Sequence, residues 1–182
     1  TQCMRSLIRF LVCVVLSLLL YLFPSCAKQE QQQRIPSDYD SWSRVKTEEL
    51  DYPIPGHESH YRIIYINKEK IEDYLTVQED NGKNRYEFKA GTIIVKEVFP
   101  SLQKQDSDEP FQLTVMIKAP DEAQSRGGWL WVVKDLETQE EKIIDHEFCI
   151  TCHANANESH PYGDNNPDEE FRDYVFFAPE TR

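Results

Sequence analysis

The pentapeptide Cys149-Ile150-Thr151-Cys152-His153 constrains this chain more than any other stretch. Two thiols three positions apart can reach the two vinyl groups of one porphyrin as thioethers, and the histidine that follows is delivered to the iron as proximal ligand. The expectation is therefore a chain folded around one covalently attached c-type haem, with Cys149 and Cys152 binding the ring and His153 binding the metal. Two alternatives stay open here. A Cys-x-x-Cys pair can be a dithiol redox site, which expects a βαβ setting that the residues before Cys149 do not offer. A zinc site needs four ligands, and the remaining cysteines, Cys3, Cys13 and Cys26, all lie in an apolar leader.

Haem attachment of this kind takes place on the outer side of a membrane, and the N-terminus reads as an export signal. Arg5 and Arg9 form a positive n-region, and Phe10 to Phe23 is apolar except for Ser17, a length that suits an h-region and is short for a membrane span. Leu22-Phe23-Pro24-Ser25-Cys26, followed by the polar run Lys28 to Gln33, resembles a bacterial lipoprotein processing site in which Cys26 becomes the lipidated first residue. Simple cleavage after Ala27 is the alternative. The chain thus divides into a lipoprotein-type signal peptide over 1–25, a flexible tether over 26–36 and one haem domain over 37–182. An exported protein on the periplasmic side, held to a membrane by its N-terminal lipid, is expected.

The formal net charge is −12, and since the leader holds two of the 20 basic residues and none of the 32 acidic ones, the mature part is more acidic still. Such a surface argues against nucleic acid and against adsorption to anionic lipid. It suits a soluble domain whose redox partner is cationic or neutral.

Periodicity outlines the domain. Ser37 or Asp38 can cap a short helix on which Tyr39 and Trp42 share a face. Tyr61 to Asn67 alternates as a strand, with Arg62, Ile64 and Ile66 on one face. Lys68 to Val77 reads as a helix with Ile71, Tyr74 and Leu75 as its apolar stripe. Gly91 to Phe99 and Leu113 to Ile117 are β-branched strands, and Gly127-Gly128 turns the second of these into Trp129 to Val133, an antiparallel pair. Ala154 to Glu170 reads as a surface loop, and Asp173 to Phe177 as a closing apolar segment. The fold class expected is α+β, mainly antiparallel β-sheet with a few short helices around the haem.

A mainly β domain with a single Cys-x-x-Cys-His near its C-terminus resembles the cytochrome P-460 family, which includes the cytochromes called c prime beta. Pro36-x-x-Tyr39-x-x-Trp42 is similar to the family's opening helix, Arg62 to Asn67 to its first core strand, and Gly91-Thr92-Ile93-Ile94-Val95-Lys96-Glu97 to its most recognisable strand. Gly128-Trp129-Leu130-Trp131 and Asp173-Tyr174-Val175-Phe176 resemble the strand after the hairpin and the segment after the haem. In hydroxylamine-oxidising members the lysine of the Gly-Thr-x-x-Val-Lys-Glu strand is bonded to a meso carbon of the ring. The resemblance therefore implies a haem-edge or cross-linked role for Lys96. By alternation alone, Lys96 shares a face with Thr92, Ile94 and Val98, and a solvated lysine at a sheet edge is the plainer reading.

The resemblance further implies a pocket arginine at Arg62, whose plain alternative is a surface ion pair. It also implies a carboxylate near the iron that moves protons, for which Glu147 and Asp145 are candidates that surface exposure would equally explain. Met116 sits mid-strand where core packing is the ordinary explanation, and His57, His60, His146 and His160 occupy no ligating position of the family, so a five-coordinate or water-bound iron is expected. Three functions remain. The first is hydroxylamine oxidation, with nitric oxide as a potential co-substrate. The second is binding of nitric oxide or another gas, and the third is electron transfer by a lipoprotein. The family's homodimers imply a second copy as a partner.

Overall fold

Segments rich in valine, isoleucine, threonine and aromatic residues pair into an antiparallel sheet, because branched and ring side chains pack well on a pleated surface. The computed structural model describes residues 33–45, 60–101, 108–162 and 165–176, within a unit that starts at Gln33. The leader, Cys26, the tether before Gln33, His57 and Phe177 lie outside the described residues. The strands are β1 (Ser43–Val45), β2 (Arg62–Ile66), β3 (Leu75–Asp80), β4 (Lys83–Phe88), β5 (Ile93–Val98), β6 (Gln112–Lys118), β7 (Trp129–Asp135) and β8 (Glu141–Ile143). Six of them form one sheet in the order β1-β2-β5-β6-β7-β8, and β3 with β4 forms a separate hairpin. Every strand pair is antiparallel. Helices are short: a 3-10 turn at Tyr39–Ser41, α1 (Ile71–Tyr74), α2 (Phe148–Ala154) and a second 3-10 turn at Asn155–Asn157. The architecture is α+β and mainly antiparallel, as the periodicity predicts.

Both faces of the sheet are covered. One carries Ile63, Tyr65, Val95, Leu113, Val115, Leu130 and Val132, closed over by Ile35, Phe99, Tyr39 and Trp42. On the other, Ile66, Ile94, Trp129 and Trp131 pack against Leu75, Tyr86 and Phe88 of the hairpin, against Val175, and against Cys149, Ile150 and Tyr174. Burial on both sides explains why β5 and β7 read as nearly continuous apolar runs rather than strict alternation. Each such side chain contributes roughly 1.5–3 kcal/mol.

The helix expected over Lys68 to Val77 is corrected. Only Ile71–Tyr74 is helical, and Leu75 begins strand β3. The deciding feature is the Asn81-Gly82 pair, with φ of 54° and 78°, which closes a two-residue turn between Asp80 and Lys83. Asn-Gly is a strong short-range hairpin signal, since both positions need positive φ. Pairing with β4 then outweighs the helical spacing, while Ile71, Tyr74 and Leu75 still pack into the core. Two short edge strands, β1 and β8, carry no periodicity of their own and are held by their neighbours. The last residues of the expected tether belong to the domain: Ile35 is 1% exposed, and the Arg34 amide donates to Glu141 Oε2 at 2.8 Å.

The loop after α2 is more ordered than its composition implies. Asn166 is fully buried, its amide donating to the carbonyls of Ala156 (3.1 Å) and Glu170 (2.9 Å), while its Oδ1 accepts the Glu170 N–H at 3.0 Å. Asn157 Oδ1 accepts the backbone N–H groups of Arg172 (2.8 Å) and Tyr174 (3.2 Å). These two asparagines satisfy buried main-chain groups that neither helix nor sheet reaches.

Candidate haem site

Helix α2 carries Cys149, Cys152 and His153 on a framework that holds it against the sheet. A spacing of three puts both sulfurs on one side of the helix, and Cys149 and Ile150 pack into the cluster of Ile66, Ile94 and Trp131. Neither cysteine is in a disulfide, and burial pushes the Cys149 thiol up from its ordinary value. His153 lies with its ring 4.6 Å from Trp131 and 5.4 Å from Phe176 between centroids. Its Nδ1 is 2.8 Å from the Tyr174 carbonyl oxygen. A carbonyl can only accept, so Nδ1 carries the proton and Nε2 presents its lone pair. Burial first, and then the charge of Lys96, lowers the imidazole to about 4, keeping it neutral and competent as a ligand.

The approach of α2 to the sheet requires Gly127. Its φ is +64°, and a Cβ there would stand 2.6 Å from Ile150 Cδ1 and 2.8 Å from the Tyr174 ring. Only a residue without a side chain lets the β6–β7 turn, α2 and the closing segment meet.

Lys96 points to this same face. It sits opposite Ile64 on β2 and Thr114 on β6, and alternation puts it in line with Ile94 and Val98. Burial lowers its ammonium group to about 7, the Arg62 charge adds to this, and Cys149 and Cys152 act in the opposite sense. Lys96, Arg62 and the two cysteines thus lie on one side of the sheet. Arg62, two positions before Ile64, shares the face, as the strand reading expects.

Of the remaining described candidates, Met116 reaches this cluster and the others do not. Glu147 is exposed; it precedes α2, and its carbonyl rather than its carboxylate is engaged, by the Thr151 N–H at 2.9 Å. Asp145 is exposed and pairs with Arg126. Met116 faces the haem side opposite Ile94 and Trp131, packed in the cluster. His60 bonds through Nδ1 to the Phe99 carbonyl at 2.8 Å, and His146 through Nδ1 to the Phe148 N–H at 3.2 Å. His160 is buried in an aromatic group with Tyr162 and Phe176.

Sequence reasoning missed two kinds of residue. Thr114, opposite Lys96, has a buried hydroxyl with no hydrogen-bond partner among the described residues. The alternation of Leu113 to Ile117 could have shown it, since Thr114 and Met116 fall on the face away from Leu113 and Val115. Tyr174 could not have been found, because what matters is its backbone carbonyl.

These residues fit a c-type haem. Two thiols on one helical turn with no disulfide, a neutral histidine whose Nε2 presents its lone pair, an orphaned buried hydroxyl and an apolar wall are what the ring and its iron need. The dithiol alternative loses its structural setting, because α2 follows an antiparallel strand and joins no βαβ unit. Zinc finds no site, since no three His, Cys, Asp or Glu side chains converge among the described residues. A search of curated proteins returns no match. The family model described as Cytochrome P460 matches residues 36–177, from the segment before the first 3-10 turn to the closing segment that holds His153. The chain belongs to the cytochrome P460 family and is a cytochrome that binds a covalently attached c-type haem with iron.

Proposed function

We propose that this protein oxidises hydroxylamine, alone or together with nitric oxide, with Lys96 joined to the haem ring. The observation that carries this reading is the half-buried Lys96 on the sheet face that carries the two cysteines, its amine lowered to about 7. An amine that is about half neutral at pH 7 offers a nucleophilic lone pair that a solvated, fully protonated lysine does not. A bound haem would supply redox chemistry at its iron. His153 would hold that iron through Nε2, its ring oriented by the Tyr174 carbonyl. Ile64, Ile66, Ile94 and Trp131 keep water from the ring face, and Arg62 provides a positive charge that favours electron-rich ligands.

A second reading, binding of nitric oxide or a similar gas, is favoured by one specific observation. Among the described residues no carboxylate acts on the Lys96 charge, and Glu147 is exposed. Hydroxylamine oxidation releases protons that an acid beside the iron would move. A protein that only carries electrons would engage the sixth position with a protein ligand.

Lys96→Leu and Lys96→Arg test the choice. Both variants should fold and retain haem through denaturation, since neither thioether nor the proximal bond involves Lys96. Their ferrous spectra should shift to that of an ordinary c-type haem, and hydroxylamine oxidation should be abolished. If the native protein itself has the ordinary spectrum and leaves hydroxylamine unchanged, gas binding is the function.

The composition of the leader supports export to the periplasmic side and lipidation of Cys26, with the domain beside a membrane. Acyl chains on an N-terminal Cys26, found by mass spectrometry, would establish the anchor. The net charge of −12 supports a cationic redox partner. Pairing of two copies, as the family resemblance implies, belongs to the same proposal.

A further inference from the structure

The segment that presents Tyr174 to His153 adopts a backbone that needs an external hold. Asp173 and Tyr174 have φ of 51° and 69°, the left-handed region that non-glycine residues occupy only when their surroundings enforce it. Enforcement comes from both sides. The buried Asp173 carboxylate receives Lys118 Nζ at 2.7 Å on each oxygen, the Phe88 N–H at 2.8 Å on Oδ2 and Trp129 Nε1 at 3.3 Å on Oδ1. The Asp173 carbonyl accepts Trp129 Nε1 at 2.9 Å. On the other side, Asn157 Oδ1 takes the Tyr174 N–H at 3.2 Å. The Asp173–Tyr174 peptide so clamped leads directly into the next, whose Tyr174 carbonyl accepts His153 Nδ1–H at 2.8 Å and whose Val175 N–H donates to the Arg172 carbonyl at 3.0 Å.

We infer that Asp173, with Lys118 and Asn157, is a positioning device for the proximal histidine, fixing the strength of its Nδ1–H hydrogen bond and through it the electron density that His153 gives to iron. The inference rests on the c-type haem reading, with His153 as iron ligand. A buried charge pair is a costly way to stabilise a fold, and replacement by apolar residues is frequently neutral or better. Here the pair adds what apolar packing lacks, a directional hold on one peptide plane. Donation from Nδ1 makes the ring a stronger ligand, and such outer partners tune a metal nearly as much as its ligands do.

The test uses the holoprotein and reads His153 directly, by the ferrous iron–histidine stretch in resonance Raman and by the midpoint potential. Asp173→Asn keeps the size and one accepting oxygen, for either Phe88 or Trp129, and removes the negative charge that Lys118 meets. Asn157→Ala releases the Arg172 and Tyr174 N–H groups without touching the buried pair, and serves if Asp173→Asn fails to fold. In both variants the haem should stay covalently attached, the stretch should move to lower frequency and the potential should rise. Asn157→Asp, which keeps the accepting oxygen, should restore the native values. Loss of stability with stretch and potential unmoved would show that the clamp serves folding alone. Absence of imidazole ligation in the native protein would instead overturn the ligand assignment on which the inference stands.

Discussion

At the scale of single residues, the site works by controlling which nitrogen is neutral. His153 is lowered to about 4, mainly by burial. Its folded value lies below the unfolded 6.5, so the unfolded chain binds more protons between pH 6.5 and about 4. Stability contributed by the neutral ring is therefore complete above 6.5 and falls as pH drops through that window. Ligation to iron competes with protonation in the same direction. An acid titration followed by absorption should keep the native proximal-ligand spectrum down to about pH 4 and lose it below; loss near pH 6 would mean that His153 is not desolvated. The two residues with the largest consequences differ in legibility. His153 is named by its place after Cys152. Lys96 is one basic residue among 20, and without the family resemblance its strand alternation permits a solvent-facing edge as well as the buried face it occupies.

At the scale of elements, two glycines separate local from tertiary demands. Gly82 has φ of +78° with nothing within 4 Å of where a Cβ would be, whereas Gly127 has φ of +64° and would drive a Cβ into Ile150 and Tyr174. Gly82→Ala should cost about 1 kcal/mol, the backbone penalty alone. Gly127→Ala adds overpacking, and should cost about 2–4 kcal/mol while moving α2. Denaturant unfolding of both variants checks the ordering, and equal losses would show that α2 does not depend on close approach at Gly127. The Asn81-Gly82 turn is a strong local hairpin signal within this stretch. Helical spacing at Ile71, Tyr74 and Leu75 predicts the right buried residues inside the wrong element, because one apolar cluster accepts side chains from a helical turn and from a strand alike.

At the scale of the whole molecule, the excess of acid sets how partners arrive. Long-range attraction between opposite charges raises association rates and is screened within about 8 Å at physiological salt. Electron exchange with a lysine-rich cytochrome should therefore slow roughly tenfold or more between low and high salt. With anionic ferricyanide the trend should reverse. Stopped-flow mixing across a salt series measures both, and matching slopes for the two oxidants would remove any steering role. Phe148, 62% exposed and adjacent to Cys149, is the largest apolar side chain left on the surface beside the haem-binding turn.

What the chain determines by itself is chemical: the Cys-x-x-Cys-His motif at Cys149, Cys152 and His153, a net charge of −12, and strands whose alternation puts Arg62, Ile64 and Ile66 on one side. These are readable because each depends on neighbours within a few positions, and thiol spacing or a two-residue period survives any tertiary arrangement. Only the fold decides which face of β5 is buried beneath α2, and so whether Lys96 is solvated or lowered to about 7. The same holds for Asp173, whose carboxylate joins Lys118, Phe88 and Trp129 from three separate strands. The Tyr174 carbonyl goes furthest in this respect. Every residue has such a group, and its use depends entirely on a backbone turn that distant side chains enforce.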